Sequence, residues 1–285
     1  MEPAVLTDLS GNSSTDSVSL PRAATPGGRS PLRLRPVRSI LALILREMTT
    51  RFGRKPGGYV WAVLQPLFII VVLAFAWSLL MRTPSLGTSF ILYKGTGLLI
   101  LRAFKETGSV VGKGLSYSKA LLFYPGVTWM DALLARFMLN ALLMIAVMTI
   151  ILTGIMIYED IGTPIDWPKV ILAVFLTLAL GFGVGVLNCF MFERVPVYQN
   201  VWRILTAPLM IISGVIIHYE AMPEIAQKYL WYNPILHLTG IMRDGFYPLY
   251  RPEYISVPYV IIWILVPMFL GLLLVRKHHK DLLNR

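Results

Sequence analysis

The sequence predicts an all-α integral membrane protein. It would have six transmembrane helices, an amphipathic interface helix before the first, and short re-entrant external helices before the last. Three observations carry this expectation. Of 285 residues, 56% are hydrophobic and 14% charged, a balance typical of membrane chains. Tyr59–Met81, Leu133–Ile157, Val170–Phe192 and Ser256–Val275 each supply the roughly 20 largely apolar residues that a crossing needs, and Phe90–Val111 with Val201–Ile217 bring the set to six. The basic residues are also lopsided. With both termini cytoplasmic, eighteen Lys and Arg fall in cytoplasmic segments and five outside, the bias of the positive-inside rule. The formal charge of +11 therefore points to an anionic leaflet rather than to nucleic acid.

Residues 1–37 are rich in Ser, Thr, Pro and Gly, with arginines from Arg22 onward. They cannot bury enough apolar surface to offset their ordering entropy, so a disordered cytoplasmic tail is expected. No apolar core follows at the distance a signal peptide requires. From residue 38 to 55 the pattern changes. Ile40, Leu41, Ile44, Leu45, Met48 and Phe52 recur at helical spacing, with Arg46, Thr50 and Arg54 opposite. Such a helix lies in the interface plane with its apolar side toward acyl chains. Pro56, Gly57 and Gly58 then allow a sharp turn into the first crossing, 59–81.

The second crossing, 90–111, carries Lys94, Arg102, Lys105 and Glu106. Lys94 and Lys105 are eleven residues apart and so share a helix face, with Arg102 roughly 80° away. Charges at membrane depth usually face an interior or water. One reading puts this face on an aqueous path that attracts an acidic polymer. The plainer alternative puts Arg102, Lys105 and Glu106 at the cytoplasmic surface, with Arg102 and Glu106 paired at i,i+4.

Residues 112–126, GKGLSYSKALLFYPG, form a second cytoplasmic element, with a short helix expected over Tyr117–Tyr124. The stretch GSVVGKG resembles a phosphate loop but fails its requirements. Gly108 and Gly112 are separated by three residues rather than four, and Gly114 follows Lys113 where Ser or Thr is needed. No Mg²⁺-binding hydroxyl results, so no nucleotide site is expected in this chain. In the third crossing, 133–157, Arg136 and the preceding Asp131 are five apart, too far around a helix to pair, and read as interfacial charges. In the fourth, 170–192, Gly181 and Gly185 form a G-x-x-x-G pair suited to close helix packing. Cys189 reads as a packing residue. The fifth crossing, 201–217, is short and has Arg203 near one end. Residues 219–250 are too polar to cross but rich in aromatics, and Asn233 before Pro234 can cap a helix there. Two short helices dipping into the outer leaflet are expected before the last crossing, 256–275. His218, His237, His278 and His279 make no metal cluster in this topology, and no nucleophile-and-base pair is visible.

The string REMTTRFGRKPGGYVWAVLQP, Arg46–Pro66, resembles the entry to the first crossing in permeases of polysaccharide-exporting ABC transporters, both capsule exporters and their O-antigen relatives. LWYNPILHLTGIMRDGFYP, Leu230–Pro248, is similar to the same family's re-entrant region, which would include Trp231, Asn233, Pro234 and Arg243. The resemblance covers residues 38–285 and leans toward the capsular subgroup. It implies a channel-forming homodimer in the bacterial inner membrane, moving lipid-linked polysaccharide and docked on two cytoplasmic ATPase subunits. Periplasmic and outer-membrane export components would complete the assembly. The chain itself would hold no cofactor; ATP and Mg²⁺ would bind the partner. Contacts to that ATPase would come from the interface helix, through Arg46, Glu47, Arg51 and Arg54, and from Tyr117, Lys119 and Tyr124. The charges in the second crossing depart from the family's largely apolar pattern.

Trp61, Gln65, Phe68, Val72 and Phe75 follow one stripe of the first crossing. Sugar C–H faces stack on aromatic rings and an amide can meet hydroxyls, so Trp61, Gln65, Phe68 and Phe75, with Lys94 and Lys105, are the candidate conduit residues. Helix packing is the plainer alternative for such a stripe. Pro66 is a potential bend. Among other function classes, an ion-coupled secondary transporter would need paired repeats and midplane carboxylates. A sugar-transferring enzyme would need clustered carboxylates or a metal motif. Neither set is visible, whereas O-antigen, teichoic acid or drug efflux on the same architecture stays open.

Overall fold

The computed structural model describes residues 58–122 and 128–283, together with residues 41, 43–45, 47 and 48. The tail 1–37 and, among the candidate residues, Arg46, Arg51, Arg54 and Tyr124 lie outside the described residues. Regular structure among the described residues is helical throughout. In order come α1 (Gly58–Leu80), α2 (Phe90–Gly112), α3 (Gly114–Leu122), α4 (Trp129–Tyr158), α5 (Trp167–Arg194), α6 (Tyr198–Thr206), α7 (Leu209–Ile212), α8 (Glu224–Leu230), α9 (Pro234–Phe246) and α10 (Val257–Leu283).

Local chemistry fixes the helix starts. Ser89 accepts the Leu92 N–H at 2.9 Å and opens α2. Thr128 and Asp131 exchange side-chain and backbone hydrogen bonds in a capping box that opens α4. Asp131 is thus a capping residue rather than one of two interfacial charges. Asp166 caps α5, with Pro168 in its first turn. Each bond satisfies a donor that a helix N-terminus would otherwise leave unpaired.

Four described helices are long and apolar enough to cross a bilayer: 60–80, 129–158, 167–194 and 257–278. The expected set of six crossings is not reached by this measure, for two reasons. Helix α2 has the length but carries too many charges; sixteen of its 23 residues are buried by other helices, Lys94 among them. The expected fifth helix, 201–217, is interrupted. It ends as α6 at Thr206, resumes for one turn as α7, and unwinds beyond Ile212 through Gly214, whose φ is +73°. Pro208 contributes no backbone N–H and crowds the preceding turn, and Gly214 readily adopts the left-handed backbone that ends the segment.

The core is organised around α2 and α5. Helices α1 and α4 run antiparallel to α2, with Ile70 and Ile155 both approaching Gly95. Helix α5 runs parallel to α2, and two glycines set how close it comes. A Cβ on Gly181 would lie 2.8 Å from Thr107 Cβ, and one on Gly185 would lie 2.7 Å from Val111 Cβ. Gly183, on the far side of α5, admits the Ile264 carbonyl of α10. The G-x-x-x-G spacing is therefore a packing device against α2. Asn140 donates to Thr107 Oγ1 at 3.0 Å across α4 and α2, satisfying both buried groups.

We predict that Gly185→Leu, which forces atoms into Val111, costs about 2 kcal/mol and lowers Tm by roughly 4–8 °C in detergent. Gly154→Ala, where a Cβ meets nothing within 4 Å, should leave Tm unchanged or slightly raised. Equal melting of both variants would show that the close approach is not what holds α5 to α2.

Candidate functional site

The α1 stripe lies on the surface of the chain. Trp61 is 65% exposed, Phe68 69% and Phe75 66%, with Gln65 and Val72 exposed between them. The opposite face, Pro66, Ile70 and Ala74, is buried. Packing among the described residues therefore does not account for the stripe. Gln65 is tethered, its Oε1 accepting from Arg102 Nη2 at 3.2 Å. The result is a ring-lined face with one amide, capable of stacking on sugar faces and meeting hydroxyls.

Lys94 and Lys105 are placed differently from the stripe. Lys94 is 1% exposed, and its Nζ donates to the Ile216 carbonyl at 2.6 Å. The ammonium also sits 4.4 Å from the Trp77 ring centroid, a cation–π geometry. Lys105 Nζ donates to the Thr206 carbonyl at 3.1 Å. These acceptors belong to the interrupted segment. Thr206 ends α6, and Ile216 lies in the unwound stretch after α7. The segment runs antiparallel to α2, from Trp202 beside Phe104 and Gly108 to Ile216 beside Lys94. Helix α9 completes the set. Asn233 Nδ2 donates to the Ile212 carbonyl at 3.1 Å, and Thr239 Oγ1 to the Ser213 carbonyl at 2.9 Å. Four carbonyls freed by the interruptions thus receive side-chain donors, as backbone taken out of water requires.

At the other end of α2, Arg136 gathers three elements. Its Nη2 lies 2.5 Å from Glu47 Oε1, its Nη1 donates to the Lys113 carbonyl at 3.1 Å, and its guanidinium stacks 4.5 Å from the Tyr117 ring centroid. Glu47 and Tyr117, both candidate coupling residues, are therefore joined through an arginine that spacing alone left as an interfacial charge. An arginine inside an apolar run with no acid at i±3 or i±4 was the available signal. Around Glu47 the described residues are helical, with Leu41, Leu45 and Met48 exposed along one side and Leu43 and Ile44 half-buried on the other. Helix α3 begins three residues earlier than expected. It is pinned by buried Leu115 against Leu133 and Cys189, and by a Ser116 hydroxyl donating to Glu193. Lys119 occupies its last turn, where a cation suits the helix dipole.

The α9 end is aromatic and closely bonded. Asn233 accepts the Ile235 N–H at 3.1 Å, with Pro234 in the first turn of α9. Trp231 Nε1 donates to the Tyr254 carbonyl at 3.0 Å, and its ring stacks 4.9 Å from Tyr259. His237 is fully buried. Its Nδ1 accepts the Ser256 N–H at 3.2 Å, so Nε2 carries the proton and donates to the Trp231 carbonyl at 2.8 Å. Burial pushes the imidazole below its ordinary value, against the opposing effect of its backbone hydrogen bonds. Arg243 is 1% exposed and stacks 4.0 Å from the Tyr93 ring. Among the described residues, no group of three His, Cys, Asp or Glu side chains converges on a metal-sized site.

A family model described as ABC-2 type transporter matches residues 38–247. Over 246 residues the chain is 27% identical to the polysialic acid transport protein KpsM of Escherichia coli, covering 86% of this chain and 95% of that protein. It is 25% identical to the capsule polysaccharide export inner-membrane protein CtrC of Neisseria meningitidis serogroup A, and 24% identical to BexB of Haemophilus influenzae, which carries the same description. Each of these two alignments covers 85% of this chain and 92% of the relative.

Two outcomes follow from the geometry. Lys94→Met and Lys105→Met should each cost about 1–3 kcal/mol by stranding a carbonyl, and should speed hydrogen exchange at amides 206–217. Unchanged exchange there would remove the capping role. His237 gives a pH signature. Its folded value is depressed, so stability is fully present above the unfolded imidazole value of about 6.5 and falls as pH drops below it. Tm should be lower at pH 5.5 than at 7.5, and His237→Gln should shrink that difference.

Proposed function

Because the chain belongs to the ABC-2 type transporter family, we propose that it is the channel-forming permease subunit of an ATP-driven exporter. Its cargo would be a lipid-linked, acidic capsular polysaccharide crossing the bacterial inner membrane. The observation that carries this reading is the alignment with KpsM, CtrC and BexB along almost the whole length of those relatives. The chain then divides into a tail, 1–37, and a membrane domain, 38–285, that opens with the interface helix 38–55. Helix α2 is the second crossing and the interrupted segment the fifth, giving six crossings with both termini cytoplasmic. The antiparallel course of that segment along α2 supports the count.

Two copies form a homodimer around the conduit. The stripe Trp61, Gln65, Phe68 and Phe75 faces the polymer, a reading supported by its exposure among the described residues. Lys94 and Lys105 act on the conduit by holding the fifth crossing in its wall. Trp231, Asn233, Pro234 and Arg243 shape its periplasmic mouth, where periplasmic and outer-membrane export components would join. Two cytoplasmic ATPase subunits bind ATP and Mg²⁺ and push on Arg46, Glu47, Arg51, Arg54, Tyr117, Lys119 and Tyr124. Arg136 passes that push from the interface helix and α3 to α4, and the joint at Gly57 and Gly58 passes it to α1.

The test is a charge swap in cells. Glu47→Arg and Arg136→Glu should each depress polymer export, and the double swap should recover part of it, with a coupling of about 1 kcal/mol or more. Gentle solubilisation should recover an ATPase subunit at a 1:1 ratio. Crosslinks from positions 46–54 that never reach a nucleotide-hydrolysing chain would overturn the proposal.

A further inference from the structure

Helices α4 and α5 are consecutive, and both pack against α2 while touching each other little. Between them, at the end nearer α9, lies an apolar slot lined by Met148, Leu152, Met156, Val174, Met242 and Phe246. Directly above it opens a polar crevice of about 330 Å³, and Ile165 lines both spaces. The crevice is lined by two cations, Lys169 and Arg251, and two carboxylates, Asp166 and Asp244. Trp167 lines the slot and is 59% exposed, the place an indole takes at a headgroup boundary. The two spaces thus stack apolar below polar, in the order of an acyl chain below its headgroup.

The crevice is built rather than incidental. The Asp166 N–H donates to the Gly245 carbonyl at 2.9 Å, locking the start of α5 to the end of α9. A Cβ on Gly245 would lie 2.7 Å from Val170 Cγ2, so the two elements close together beneath the crevice. Lys169 Nζ lies 3.0 Å from Asp244 Oδ1 and 3.3 Å from Asp166 Oδ2. One ammonium therefore orients two carboxylates and leaves each with further acceptor capacity. Arg251 is exposed and makes no ion pair among the described residues. The four side chains sum to zero charge, and one crevice presents a guanidinium with no ion pair among the described residues together with two part-used carboxylates.

We propose that the slot and crevice form a binding site for a zwitterionic membrane phospholipid with a primary ammonium headgroup, of the phosphatidylethanolamine type. The lipid belongs to the leaflet at the α9 end, the outer one in the orientation proposed above. The phosphate meets Arg251, the ammonium donates to Asp244 and Asp166, and an acyl chain fills the slot between α4 and α5. A neutral crevice with both signs exposed favours a zwitterion over an anionic lipid, which has no ammonium for the carboxylates. The methionines give the slot an adaptable lining suited to a flexible chain.

The full chain in nanodiscs, with a phosphatidylethanolamine probe carrying a photoreactive diazirine in its acyl chain, tests this. Labelling should concentrate on residues 148–156 and 242–246. Unlabelled phosphatidylethanolamine should compete it away about tenfold better than phosphatidylglycerol, the discrimination expected from one charge-assisted contact. Asp244→Asn should erase that preference, and Thr153→Trp, at the slot wall, should block labelling there. Equal competition by both lipids, or labelling spread evenly over α1, α4 and α10, would overturn the site. Because the readout is lipid binding in the isolated chain, its failure is distinct from a failure of ATPase coupling or export.

Discussion

A backbone carbonyl taken out of water needs a hydrogen bond from inside the protein, and the fold turns on how this chain meets that constraint where its backbone leaves the helix. Between Thr206 and Ile216 the α-helical ladder is broken twice. Four carbonyls there are met by side chains, Lys105, Asn233, Thr239 and Lys94 in order along the segment. Two donors come from α2 and two from α9. This explains why α2 is too charged to be a lipid-facing helix and why it is wrapped by α1, α4, α5 and α9. Its lysines serve a neighbour's backbone. It also explains why α9, short and partly polar, is almost wholly buried. Remove the interruption and these side chains lose their purpose; remove the side chains and the interruption becomes costly.

Much of the architecture was legible because it is local. Apolar runs fixed α1, α4, α5 and the start of α10 to within a few residues, though α10 continues past the apolar run to Leu283; Asn233 with Pro234 marked the start of α9, and the Gly181–Gly185 spacing marked a close packing face. What stayed hidden was non-local. Lys94 meets a carbonyl 122 residues away, Lys105 one 101 away, and Arg136 a carboxylate 89 away. Helical periodicity showed that the two lysines share a face but carries no information about what stands opposite. Two readings of that face, aqueous path or cytoplasmic surface, missed a third, a partner's freed backbone. The fifth element was misread as continuous because hydropathy averages over Pro208 and Gly214 instead of registering them as breaks. The α1 stripe was legible as a pattern, but its exposure among the described residues was not.

The proposed coupling to a separate ATPase rests on one arginine. Arg136 ties Glu47 of the interface segment to the end of α2 and to the ring of Tyr117 on α3. A displacement of either element is thereby shared by both before it reaches α4. A cation pinned among a carboxylate, a carbonyl and an aromatic ring loses much if any one of them shifts alone. That favours concerted over independent motion.

The glycines of α5 bear on what can move. Gly181 and Gly185 bring it hard against α2, Gly183 admits the backbone of α10, and Gly271 of α10 approaches the Leu187 backbone in return. Three helices are thereby fused into a slab whose members cannot slide without collision. Helix α1, by contrast, buries only Pro66, Ile70 and Ala74 among the described residues. In the exporter proposed above, that slab would serve as a stiff chassis, so a change in bore would come from the placement of α1 and not from deformation of the frame.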